Sequence, residues 1–129
     1  MEITEAVFRS LDFMDVDYGL ECCAGLLDLY VQVISGYVFK DSKIESLESS
    51  FQSKDWKSYE VDIHAVKSSS LLIGIRDLSE KAKALENACK EDNEAYILEN
   101  HVPVMEEYKT VMTTLTETLG KYGITSYQC

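Results

Sequence analysis

The sequence predicts an all-α fold: an antiparallel up-down-up-down four-helix bundle preceded by one or two short N-terminal helices. Three observations predict it. Apolar residues recur at helical spacing over most of the 129 residues, and long stretches are rich in Glu, Lys, Leu, Ala and Ser. Only one proline and six glycines interrupt them. The connections between the periodic stretches are short, which makes neighbours antiparallel.

Residues 3–13 read as a short amphipathic helix with Val7, Phe8 and Leu11 on one side. Asp15 or Asp17 is placed to cap a second short helix through Leu20 to Cys23. The run Leu26, Leu29, Tyr30, Val33, Ile34, Tyr37, Val38, Ile44, Leu47, Phe51 predicts one long helix, loosened near Lys40 and Asp41. Lys54-Asp55 ends it. Asp55 then caps a helix from Trp56 to about Ile73, which Gly74 stops. A further helix covers Arg76 to Lys90 with Leu78, Ala82, Leu85 and Cys89 inward. The last begins near Asp92 or near Asn100 and runs to about Leu119. Pro103 sits in its tolerant first turn if it starts at Asn100, or kinks an earlier helix if it starts sooner. A hydrophobic fraction of 46% suffices for one core, so residues 1–129 are expected to form a single domain: an N-terminal helical extension over 1–24 and the bundle over about 25–120.

Composition excludes several functions. The net charge of −11 argues against nucleic acid and against an anionic membrane surface, because both are bound by clustered Lys and Arg. No apolar run reaches the roughly 20 residues of a membrane span. The start MEITEAVFRSLDFMD has neither a basic nor an apolar signal segment, so a cytoplasmic location is expected. Cys22, Cys23, Cys89 and Cys129 lack C-x-x-C spacing and read as reduced, structural thiols.

The chemistry lies in Asp62–Glu86. With about 100° per residue and His64 at zero, Trp56, Tyr59, Ile63, Val66, Ser70 and Ile73 fall in an arc from about 180° to 280°, the buried stripe. His64 lies outside it. Lys57, Ser68, Leu71 and Ile75 share its face, and Lys67 sits at the stripe's edge. A water-facing imidazole on a rigid helix with an ammonium one turn away suits phosphoryl acceptance. Neutral imidazole is nucleophilic near neutral pH without a helping base, and the cation offsets arriving charge. No Walker-type loop is present, so the phosphoryl donor must come from elsewhere.

The segment DIHAVKSSSLLIGIRDLSEKAKALE resembles the signature of histidine-containing phosphotransfer (HPt) domains of bacterial two-component phosphorelays. That signature is H-x-x-K-G-S-S, a glycine, then an L-x-x-x-x-x-x-L-E helix. His64, Lys67, Ser69, Ser70, Gly74, Leu78, Leu85 and Glu86 match it. Asp15-Val-Asp-Tyr-Gly-Leu-Glu, Gly25, Leu29-Tyr30 and Asp55-Trp56 are similar to the flanking elements, so the likeness covers about residues 15 to 119. It implies a phosphocarrier rather than an enzyme, which stands alone or belongs to a larger hybrid histidine kinase. His64 would be phosphorylated, Lys67 would neutralise charge and Ser68 would be a small residue contacting phosphate. The partners implied are receiver domains of response regulators or hybrid sensor kinases. No cofactor is its own, Mg²⁺ being supplied by the receiver. A monomer is expected. The signature's glycine after the lysine is Ser68 here, still small enough for a partner's approach.

Leu71, with Ser68, is expected to dock the receiver, and Met14 and Leu20 are further docking candidates; packing of Leu71 on the N-terminal helix is the structural alternative. His101 beside Pro103 reads as structural or solvent-facing, and Ser69 and Ser70 as small residues that permit close helix packing. Two rival functions are a degenerate receiver-docking bundle without phosphotransfer and a metal-binding bundle built from His64, His101 and cysteines.

Overall fold

The computed structural model describes residues 2–127, all of its regular structure helical, so Cys129 lies outside the described residues. The order is α1 (Glu5–Arg9), α2 (Val16–Cys22), α3 (Leu27–Phe39), α4 (Ile44–Ser53), α5 (Trp56–Leu72), α6 (Arg76–Lys90) and α7 (Glu94–Gly120). α5 packs on α6, α6 on α7, α4 on α5 and α3 on α7, so the bundle closes on itself.

Carboxylate and amide caps start three of the helices. Asp15 accepts from the Tyr18 amide, Asp55 from the Ser58 amide at 3.2 Å and Asn93 from the Tyr96 amide. Each such cap contributes about 1 kcal/mol by satisfying an orphan N–H. α5 and α6 fall on their expected residues to within one position.

Two elements differ from expectation, and the open choice at the last helix is resolved in favour of the start near Asp92. α1 is shorter than residues 3–13 because the Ser10 hydroxyl donates back to the Val7 carbonyl and Leu11 and Met14 close turns of their own. The long helix over Leu26–Phe51 is two helices. The amides of Lys40 and Asp41 both return to the Gly36 carbonyl, and the Lys43 amide leaves the helical ladder to donate to the Tyr108 hydroxyl of α7 at 3.0 Å. α7 starts at the Asn93 cap and continues through Pro103. Pro103 and Glu99 are both exposed, so the carbonyl that loses its partner to the missing N–H faces solvent.

One core cluster unites the bundle with α1 and α2 and includes Phe8, Tyr30, Ile34, Leu47, Ile63, Leu78, Leu85, Ile97 and Leu115, all at 1% exposure or less. Each such side chain contributes about 1.5–3 kcal/mol by leaving water. Met14 and Leu20 belong to this cluster at 9% and 8% exposure, so they are core side chains and not surface docking residues. Met14 lies in the link between α1 and α2 and Leu20 on α2, and both face the core.

That end carries the tightest backbone contact. Gly74 has φ +89°, and the Asp15 amide donates to its carbonyl at 2.7 Å. A Cβ on Gly74 would stand 2.1 Å from the Asp15 carbonyl oxygen, which only glycine avoids. Arg76 donates to the Asp15 carboxylate and lies over the Tyr18 ring, and the Tyr30 hydroxyl donates to the Ile73 carbonyl at 2.8 Å. α2 and α3 are thereby fastened to the turn between α5 and α6.

Candidate functional site around His64

The site is built on the α5–α6 hairpin. On α5, Tyr59, Ile63, Val66 and Ser70 are buried, as the helical arc requires, and Trp56 is half-buried with its indole N–H on Glu94. Ile75 departs from its expected place on the His64 face. It lies beyond Gly74, outside the helix, and is 1% exposed in the core. Ser70 is buried and binds the Tyr37 hydroxyl of α3 at 2.8 Å, as expected of a packing residue, whereas half-buried Ser69 donates to the Ala65 carbonyl of its own helix.

His64 stands out from this helix, its side chain 57% exposed. Its Nδ1 lies 2.5 Å from Oε2 of Glu86, and the Lys67 ammonium lies 2.6 Å from Oε1 of the same carboxylate. Glu86 is only 4% exposed, and Lys90, one turn further on, places its Nζ 3.7 Å from Oε2. Burial pushes the Glu86 carboxyl up, but hydrogen bonds from Lys67 and His64 outweigh it and hold the group below the usual carboxylate value. An ionised carboxylate only accepts, so Nδ1 carries the ring proton and donates it. The lone pair of the neutral ring is therefore on Nε2, the nitrogen away from Glu86. The arrangement provides a fixed tautomer, a nucleophilic nitrogen facing solvent and a cation held within the same cluster.

Glu86 matched the signature, but no role followed for it from composition or helical angle. The signal that would have found it is the hairpin. α5 and α6 run antiparallel about Gly74–Ile75, so residues equally far before and after that turn meet, and His64 and Glu86 are such a pair. A carboxylate between the inward Leu85 and Cys89 needs buried partners, and the facing helix supplies them.

The other sequence candidates are distributed as follows. Ser68 is exposed on the His64 face and Leu71 is half-buried beside it. Both line a groove of about 330 Å³ between α5 and α6. His101 is far from exposed, at 1%. Its ring stacks on Phe51 at 3.8 Å, its Nδ1 and the Tyr59 hydroxyl share a hydrogen bond of 2.8 Å, and its Nε2 lies 3.3 Å from Oε1 of Glu48, which Lys109 also approaches. Burial lowers its pKa below the ordinary histidine value, against the opposing pull of Glu48. His101 thus belongs to the core, not to the His64 site. Cys22, Cys23 and Cys89 are free thiols, and burial pushes Cys89 up to about 11. Among the described residues no group of three or more His, Cys, Asp or Glu side chains is arranged to hold a metal ion, and none brings His64 together with His101. No single helix among them is long and apolar enough to cross a membrane.

An antiparallel helical bundle that presents one oriented imidazole to solvent, with a lysine on the same buried carboxylate, defines the class of histidine phosphocarriers. Residues 41–118 match the family model of the Hpt domain, and the chain belongs to that family. Membership implies histidine phosphotransfer within phosphorelays, interaction with receiver domains, and the role of a carrier rather than an enzyme. No curated protein and no solved structure shows a significant match.

Proposed function

We propose that His64 accepts a phosphoryl group at Nε2 from the aspartyl phosphate of a receiver domain and passes it to the aspartate of a second receiver. The observation that carries this is the shared carboxylate: Glu86 fixes the Nδ1–H tautomer of an exposed ring and holds Lys67 beside it. In the forward step the Nε2 lone pair attacks phosphorus, an N–P bond forms, and the P–O bond to the aspartate breaks with its electron pair leaving on the carboxylate. The ring then bears a positive charge, which Nδ1–H and Glu86 share. Lys67 is close enough to turn from Oε1 towards the new phosphoryl oxygens. The return to a receiver aspartate is the same step reversed, and the receiver supplies the Mg²⁺. Ser68 leaves the space above the ring open, and Leu71 gives the visiting domain an apolar contact next to it.

Phosphotransfer from a ³²P-labelled receiver tests the proposal. The wild type takes up label and His64→Gln takes up none, while circular dichroism shows both to be folded and helical. ³¹P–¹⁵N correlation should locate the phosphoryl group on Nε2. Label on any other residue, or on Nδ1, refutes the assignment.

A further inference from the structure

The groove next to His64 concentrates positive charge on a strongly negative molecule. The chain has 12 Lys and Arg against 23 Asp and Glu. Yet Lys67 from α5 and Arg76 and Lys83 from α6 all line this one groove, with Glu80 as its acidic residue and Ser68 and Leu71 on its α5 side. Two of these cations are already engaged, Lys67 by the buried Glu86 and Arg76 by Asp15. Lys83 is exposed and, among the described residues, enters no ion pair. It is a cation available to a visitor.

The position of the groove matters as much as its charge. Ser68 and Leu71 follow His64 by about one and two turns on the same face. The facing side chains of α6 come from its first half, as the antiparallel hairpin requires. A domain that places a reactive group over Nε2 therefore lies across the groove as well. Over the chain as a whole carboxylates outnumber cations about two to one, which on average repels an acidic surface.

Resting on the phosphocarrier reading above, we infer that this groove selects receivers by charge: it takes an acidic segment of the partner, with an apolar side chain over Leu71 and a carboxylate directed at Lys83. Lys83 is a specificity-determining residue outside the phosphoryl chemistry, and its contribution acts on encounter and on the docked complex.

The experiment uses the full chain and the receiver domain, among those of the same cell, to which the wild type transfers fastest. Phosphoramidate, a small donor that needs no docking surface, loads His64 first. Lys83→Glu should be loaded by phosphoramidate at the wild-type rate but transfer to the receiver about fivefold or more slowly at low ionic strength, with the difference closing as salt is raised. Lys83→Gln should fall between the two. Lys54→Glu makes the same change in net charge about 20 Å away along the helix axis, and should transfer as the wild type does. Equal rates for Lys83→Glu and wild type, or equal slowing by Lys83→Glu and Lys54→Glu, overturn the inference while leaving the carrier reading intact. A wild type that is loaded by phosphoramidate but passes label to no receiver overturns both.

Discussion

Replacing Glu86 by glutamine changes one oxygen into an NH₂ group and so tests what the buried carboxylate does. In the wild type both oxygens accept, one from His64 Nδ1–H at 2.5 Å and the other from the Lys67 ammonium at 2.6 Å. Glutamine has one acceptor to give. A charge-assisted bond contributes about 1.5–3 kcal/mol against roughly 1 for a neutral one, so the amide oxygen stays with Lys67 and the NH₂ turns to the imidazole. Facing a donor, Nδ1 becomes the acceptor and the proton moves to Nε2, the nitrogen that must attack. Restoring the reactive tautomer then costs about 1–1.5 kcal/mol, the worth of the bond it breaks, which lowers the maximal rate of phosphoryl uptake about tenfold. Lys67 is no longer neutralised in Glu86→Gln, so its attraction for the donor's phosphoryl oxygens grows. The half-saturating donor concentration should therefore stay level or fall while the maximal rate drops. Saturation kinetics with phosphoramidate separate the two effects, and ¹⁵N chemical shifts of the ring report the tautomer. If the Glu86→Gln ring keeps its proton on Nδ1 and uptake stays within twofold of wild type, the tautomer argument is wrong.

Gly74→Ala should destabilise the fold by about 2–4 kcal/mol, combining a strained positive φ with a Cβ driven into the Asp15 carbonyl, and urea titration would show it as a lower midpoint. His101 predicts a specific pH response. Its folded-state pKa is depressed by burial, so the unfolded chain binds more protons below the ordinary histidine value of about 6.5. The stability it contributes is complete above that value and is lost as pH falls through it towards the folded pKa. Thermal unfolding at pH 7.5 and 5.5 should show the loss well above the range where carboxylates titrate, and His101→Gln should flatten it.

Most of the bundle was legible because its signals are local. Asp55 and Gly74 bracket α5, and the spacing of Tyr59, Ile63, Val66 and Ser70 turns His64 outward without reference to any other helix. What escaped prediction depends on partners distant in sequence. The break at Lys40–Lys43 is completed by the hydroxyl of Tyr108, and Met14 and Leu20 are buried in the core that the bundle shares with its N-terminal segment. Neither is visible in the periodicity of the segment concerned. Glu86 shows the same limit at the site: its residue type suggested solvent, and only the facing helix shows that it is enclosed. Pro103 left two starts for the last helix open, because a proline's effect on a helix depends on whether the freed carbonyl can reach water.

The fastening of α2 and α3 has a practical consequence for anyone trimming the chain. The residues that match the family begin at position 41, yet Tyr30 and Tyr37 reach across to Ile73 and Ser70 from outside that span. Cutting there would strip two tyrosines and the Asp15 clasp from the helix that bears His64, leaving polar backbone bare at its end. A shortened version would be expected to lose the steadiness of its reactive ring before it lost its helicity.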